Sequence, residues 1–175
     1  MLNLAVAKIK NYPGTKIDVE IIGVADPAAY EYSDFALAGD VTFRGTAANE
    51  GGRIMVEGVL NGVYALNCSR CGKALTEEFE TEFFAQYALQ AQPDEDGEAD
   101  ILEFCGDNID LEPQFLQTIF LELPMKPLCS DDCKGLCPFC GKNLNKGTCN
   151  CEAPIDPRLA KLKDYVFKDD KKGDN

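Results

Sequence analysis

The chain has 175 residues, 45% of them hydrophobic, which suits one globular domain with at most a small appendage. Its formal charge of −13 excludes a molecule drawn as a whole to nucleic acid, and the lack of histidine removes the commonest general base and every histidine-bearing metal site. No run approaches the ~20 apolar residues of a membrane span, and MLNLAVAKIKNYPG lacks the regions of a secretory signal, so the expected location is cytoplasmic, with no membrane partner.

In chain order, residues 1–22 read as a short strand (Leu2–Val6), a turn at Pro13-Gly14 and a second strand (Lys16–Ile22). Residues 23–40, rich in Ala, Asp and Gly, read as a loop or irregular edge. From Asp40 the pattern is β: Val41, Phe43, Gly45 and Ala47 alternate with Thr42, Arg44 and Thr46, and Asn49-Glu50-Gly51-Gly52 signals a hairpin. The run from Arg53 to Asn67 places Ile54, Val56, Leu60, Tyr64 and Leu66 on one face and Met55, Val59 and Val63 on the other. That predicts a strand buried on both sides, with Gly58 and Gly62 as bulges or bends. After the CSRCG turn, Leu75, Phe79, Phe83, Ala85, Tyr87 and Leu89 alternate with Glu78, Glu80 and Glu82. A long hairpin with a cysteine turn at its tip follows from this.

Residues 90–100, QAQPDEDGEAD, read as a solvated acidic loop, and Ile101–Cys105 as a short strand. A helix over 110–123 is expected, with Asp110 as cap, Pro113 in its first turn, and Phe115, Leu116, Ile119, Phe120 and Leu123 on one face. A second, short helix is expected from Ile155-Asp156-Pro157, followed by a disordered tail, KDDKKGDN. The expected class is α+β: a mostly antiparallel β-sheet, barrel-like body with one packed helix, plus a small C-terminal zinc module and the short terminal helix. The boundaries are 1–133 for the body, 134–166 for the module and its helix, and 167–175 for the tail.

Nine cysteines carry the chemistry, and six of them fall between Cys129 and Cys151. In a reducing compartment such clusters suit thiolate-bound metal better than disulfides. Cys137 and Cys140, a C-x2-C pair backed by Gly141, join the C-x-C pair Cys149 and Cys151 in one four-cysteine site within a short span. Residues 134–151 hold few sizeable apolar side chains, Leu136, Phe139 and Leu144, so this segment needs a metal staple to fold. The remaining half-sites, Cys68-x2-Cys71 and Cys129-x3-Cys133, complete a second site if the helix returns the chain to the hairpin tip. A rival arrangement takes Cys129 and Cys133 into the terminal cluster and leaves Cys68 and Cys71 as free thiols. Cys105 is then a spare, expected as a small buried hydrophobe.

Two closed sites predict two structural zinc ions and leave no open position for a catalytic water. CSRC precedes a strand, unlike a thioredoxin-type redox pair, and no phosphate loop, dinucleotide fingerprint or Ser/His pair is present. The expectation is a protein that is not an enzyme and has no small-molecule substrate. Lys134, Lys142 and Lys146 either screen the thiolate charge or touch phosphate or an acidic partner.

CSRCGKAL at 68–75, IDLEPQFLQTIFLELPMKPLC at 109–129, CKGLCPFCGKNLNKGTCNC at 133–151 and IDPRLAKLKDY at 155–165 together resemble the YceD family, large ribosomal RNA subunit accumulation proteins, in its branch that carries the terminal zinc module. The resemblance implies a non-enzymatic role in ribosome biogenesis, promoting accumulation or processing of large-subunit (23S) ribosomal RNA. Its implied partner is the large-subunit RNA precursor or a ribosomal protein. Members can lack the terminal module, which draws attention to the Cys-x-Arg-Cys turn and to Arg70 as a phosphate contact. Two other functions remain open: an acidic adaptor that binds a ribosomal protein without RNA, and a thiol or zinc redox sensor.

Overall fold

The structure is a computed structural model, and it describes residues 2–30, 35–89 and 101–151. Among the described residues eight strands and one α-helix surround a main core, with a smaller buried cluster at Cys68, Cys71 and Cys133: β1 (Asn3–Ala5), β2 (Lys16–Gly23), β3 (Ala36–Leu37), β4 (Val41–Glu50), β5 (Arg53–Asn67), β6 (Ala74–Ala88), β7 (Ile101–Glu103), β8 (Asn108–Asp110) and α1 (Glu112–Leu121). The main sheet has the order β2-β4-β5-β6-β7, with β3 beside β5, while β1 and β8 make a separate two-stranded ribbon. The pairings are antiparallel except β6 with β7. The sheet curls into a half-barrel whose edges, β2 and β7, do not pair with each other. The expected acidic loop at 90–100, the helix from Asp156 and the charged tail lie outside the described residues.

The β5–β6 hairpin is the spine. Its register runs unbroken from Ile54↔Tyr87 to Asn67↔Ala74, and β4 continues it in register from Thr42↔Asn61 to Glu50↔Arg53. At 15 residues each, β5 and β6 span ~50 Å. The two expected bulges do not form. Gly58 and Gly62 lie on the inward face, where a Cβ at Gly62 would stand 2.6 Å from the Phe79 ring and one at Gly58 would meet the Phe43 ring at 2.8 Å. Gly62 makes room for the Phe79 ring, Gly58 lets the β4 backbone at Arg44 and Gly45 approach closely as well as the Phe43 ring, and the ladder passes both unbroken.

Nor is β5 buried on both faces. Ile54, Val56, Leu60 and Tyr64 are buried, while Met55, Val59 and Val63 are only half-covered on the outer face.

The inner face packs on α1. Phe115 meets Phe83 edge-on at 4.7 Å and Phe43 at 5.1 Å between ring centroids, and Leu116 and Ile119 are fully buried beside them. Each such side chain contributes roughly 1.5–3 kcal/mol through burial. Asp110 does serve the helix start, since its Oδ1 accepts the Glu112 N–H at 3.1 Å, although Leu111 occupies the cap position. At the other end the Tyr64 hydroxyl donates to the Ile119 carbonyl at 3.0 Å, satisfying one of the acceptors a helix end leaves bare.

Asn49 ties the N-terminal segment to the sheet: buried, it donates to the carbonyls of Ile9 (2.7 Å) and Lys10 (2.9 Å) and accepts from Gly52 N–H. The ribbon of β1 and β8 then closes over the helix entrance, through Asn3↔Asp110, Leu4↔Ile109 and Ala5↔Asn108.

Candidate metal centres

The hairpin tip is a six-residue turn, Cys68 to Lys73. Cys68 N–H donates to the Lys73 carbonyl at 2.8 Å, and Gly72 N–H donates to the Cys68 carbonyl at 2.9 Å. Gly72 sits at φ 68°, a left-handed conformation that a Cβ would strain. The terminal segment repeats this turn: Cys137 N–H to Lys142 at 2.8 Å, Gly141 N–H to Cys137 at 2.9 Å, and Gly141 at φ 70°. The signal is in the sequence: both turns read Cys-x-x-Cys-Gly-Lys, the knuckle form expected at each.

After α1 the chain runs through Pro124 and Pro127 back to the hairpin tip, where Ser69 N–H donates to the Pro127 carbonyl at 2.9 Å. This docks Cys129 and Cys133 against the first turn. The sulfurs of Cys68, Cys71, Cys129 and Cys133 all lie within 4.8 Å of one another. Cys68 and Cys133 are 3.8 Å apart, and Cys71 and Cys129 are 3.6 Å apart. Four thiolates bonded to zinc at ~2.3 Å form a tetrahedron with edges of about 3.8 Å, so this donor set fits the ion. A second group, Cys137, Cys140, Cys149 and Cys151, meets the same 4.8 Å limit. Cys129 and Cys133 thus lie with the hairpin pair, not with the terminal cluster. Two cysteine tetrads able to hold metal ions, zinc among them, result.

Their surroundings differ. In the first tetrad only Cys129 is partly exposed; in the second only Cys137 is buried, and Cys140 and Cys151 face solvent. Cys105 is exposed, against expectation. The chain turns as it leaves β7, and Phe104 takes the buried place instead.

Backbone amides set the thiol acidities. The N–H of Cys129, helped by those of Arg70 and Cys71, pulls Cys68 down to about 6 against the opposing effect of burial. The N–H groups of Cys140 and Phe139 do the same for Cys137, also to about 6. Burial opposes ionisation of Cys133, but the Asn145 amide, 3.3 Å from its sulfur, and the Gly135 backbone outweigh it and lower that thiol. One thiol in each group is pushed up to about 12 by its neighbouring sulfurs, Cys129 by Cys133 and Cys71, and Cys151 by Cys140 first. A divalent cation would take the place of the protons these thiols share.

The two turns are joined. Leu136 N–H donates to the Arg70 carbonyl at 3.2 Å, and Lys134 N–H donates to Asn145 Oδ1 at 2.7 Å. Arg70 Nη1 donates to the carbonyls of Asp131 and Cys133, each at 2.9 Å, so this nitrogen braces the loop between two ligands. Lys142 Nζ donates to the Thr148 carbonyl at 2.6 Å, and Lys134 and Lys146 are exposed. Six exposed basic residues collect at this end: Arg70, Lys73, Lys126, Lys134, Lys142 and Lys146. Phe139 stands among them, 52% exposed, at the position of the second turn that Arg70 holds in the first. Named from sequence only as one of the segment's few sizeable apolar side chains, Phe139 is a surface aromatic.

A curled, mostly antiparallel sheet with a packed helix and two cysteine tetrads able to hold metal defines a β-rich protein with paired cysteine knuckles. Residues 56–165 match the model of the large ribosomal RNA subunit accumulation protein YceD, and the chain belongs to this family. It is 33% identical over 126 residues to an uncharacterised protein of Mycobacterium tuberculosis, covering 70% of this chain and 59% of that one. It is 28% identical over 147 residues to the chloroplastic large ribosomal RNA subunit accumulation protein YCED homolog 1 of Zea mays, covering 67% of this chain and 50% of that one. The Arabidopsis thaliana homolog 1 is 25% identical over 129 residues, 57% of this chain and 40% of its own. The chain thus spans between two fifths and three fifths of the length of these curated relatives. No solved structure matches it. Among the described residues no helix is long and apolar enough to cross a membrane.

Proposed function

We propose that this chain is a non-enzymatic, cytoplasmic factor that holds two structural zinc ions and promotes accumulation or processing of large-subunit ribosomal RNA. The observation that carries the reading is the make-up of the cysteine-rich end. In a chain of net charge −13, six exposed basic side chains and the exposed ring of Phe139 gather around two tetrads, in a family named for ribosomal RNA accumulation. Single-stranded RNA is held by this combination, cations for phosphate and an aromatic face for a base. Both tetrads supply four sulfurs, which fills a tetrahedral zinc and supports a structural role over a catalytic one.

On this reading Phe139 stacks on an unpaired base, Lys134, Lys142 and Lys146 meet phosphates, and Arg70 keeps the two turns in register. The test is co-sedimentation with large-subunit precursors, with cross-linking to RNA. Phe139→Ala and the triple Lys134→Ala, Lys142→Ala, Lys146→Ala variant should each lose particle association while retaining both metal ions. A deletion strain with normal large-subunit RNA, together with a wild-type chain that does not sediment with any precursor, would sink the proposal. The redox-sensor alternative, centred on Cys68 and Cys71, meets the obstacle that both are buried.

A further inference from the structure

The long hairpin leaves one sheet edge open. β6 pairs with β5 along its length, but on its other side β7 covers only Gln86, Tyr87 and Ala88. Among the described residues no strand pairs with Leu75 to Ala85 on that side. A run of backbone donors and acceptors so placed is a template for a further strand.

The outer face beside this edge has a defined chemistry. Glu78, Glu80 and Glu82 alternate along β6 and are all exposed, so their carboxylates follow one another every ~7 Å. Elsewhere on this face the acids Glu20 and Glu57 pair with Arg44 and Lys16. Among the described residues no basic side chain lies within ion-pair distance of Glu78, Glu80 or Glu82. Asn61 alone reaches this row, donating to Glu80 Oε2 at 2.9 Å. Past the last carboxylate, Phe84 presents its ring to solvent, 58% exposed, beside a shallow depression of about 740 Å3 lined also by Thr46, Glu57, Val59 and Glu82. A second depression, of about 380 Å3, continues along the same strands past Asn61, Val63, Glu78 and Glu80.

The geometry points to the open edge of β6 as the docking site for an extended, basic segment of a partner protein, added to the sheet as a further strand. An extended peptide with lysine or arginine at alternate positions repeats its charges at the same ~7 Å spacing as the β6 carboxylates. Main-chain hydrogen bonds to the edge hold it, the carboxylate row selects its charge, and Phe84 offers a face for an arginine. This site runs along the body of the protein from Leu75, which packs against the first tetrad, to Ala85, and it does not depend on RNA contact at the cysteine-rich end.

The test uses the full, metal-loaded chain and a fluorescent peptide alternating arginine with threonine, followed by anisotropy. Binding should weaken roughly tenfold in the Glu78→Gln, Glu80→Gln, Glu82→Gln variant, as expected when rim charges are lost across an interface. A peptide N-methylated at the amides that face the edge should not bind. Phe139→Ala, which tests the RNA reading, should leave peptide binding unchanged. Circular dichroism and metal content confirm that each variant folds. Equal binding by the N-methylated peptide, or by a peptide with the same charges grouped in a block, would overturn the proposal. So would a wild-type chain that ignores the peptide while the glutamine variant self-associates, since the carboxylates would then only keep copies of the edge apart.

Discussion

Tyr64 holds the helix end to the sheet through one hydrogen bond to Ile119, and its environment gives that bond a pH signature. Burial first, then the nearby carboxylates of Glu122 and Glu77, push its phenol up to about 12. The unfolded phenol titrates near ~10. The folded chain therefore grips this proton more tightly, so the contribution is intact below about 10 and is lost as pH rises through about 12. Urea unfolding measured across that alkaline window should show a falling limb that Tyr64→Phe flattens. The same variant should be about 1 kcal/mol less stable at neutral pH, where the hydrogen bond is lost. Gly62 makes the complementary case by packing. A methyl at this position would stand 2.6 Å from the Phe79 ring, which stacks on Tyr64 at 4.5 Å. Gly62→Ala should cost about 1–3 kcal/mol in denaturant unfolding, and Phe79→Leu in the same chain should recover part of it. Sequence alone could not separate this glycine from a bulge, because both uses put Gly inside a strand pattern. The facing ring on the neighbouring strand decides, and that neighbour is known only once the register is.

The two cysteine turns are alike as elements and unlike in setting. Their shared Cys-x-x-Cys-Gly-Lys pattern dictates the same hydrogen bonds, so their local form was legible from spacing and glycine placement. Their burial was not, because it depends on what the rest of the chain lays over them. The return through Pro127 covers the first tetrad, while Cys140 and Cys151 of the second remain open. Under limiting chelator or peroxide the terminal site should therefore release its metal first, read as a fast phase in a zinc-indicator assay. Cys137→Ser should abolish that fast phase and leave the slow one, and Cys71→Ser should do the reverse. The strand elements divide in the same way. β5 and β6 could be read from alternation, but the pairing of β1 with β8 spans most of the chain, and no local pattern announces it. Cys105 was misplaced for a related reason: with eight cysteines assigned in pairs, elimination says nothing about which side of a turn the ninth will face.

At the scale of the whole molecule, charge and metal are arranged by position. The sheet carries an acidic row, while the basic side chains among the described residues concentrate at the cysteine-rich end. On the proposed function, RNA binding there should fall with salt, with a slope reporting the few phosphates that Lys134, Lys142 and Lys146 would neutralise, and the triple alanine variant should flatten it. Metal occupancy should respond to acid as well. With the most acidic thiol of each tetrad at about 6 and the least acidic pushed up to about 12, uptake of a cation at neutral pH must expel protons. Affinity should then rise with pH and drop sharply once Cys68 and Cys137 also become protonated, below about 6. Proton release on metal titration, followed with a pH indicator dye, measures both.

The clamp between the hairpin tip and the return loop also has a direction in time. Cys71 and Cys129 are 58 positions apart, with all of α1 between them. During synthesis at ~5–20 residues per second, the first pair of thiols waits roughly 3–12 s for its partners to be made. Two sulfurs cannot close a tetrahedron, so a nascent or truncated chain ending before Cys129 offers only a weak half-site. Loading of a metal ion in this tetrad would thereby be a completion signal. It would come only after the spine, the helix and the return have all been translated and have met, and bringing the ends of that loop together costs the folding chain about 4 kcal/mol of entropy.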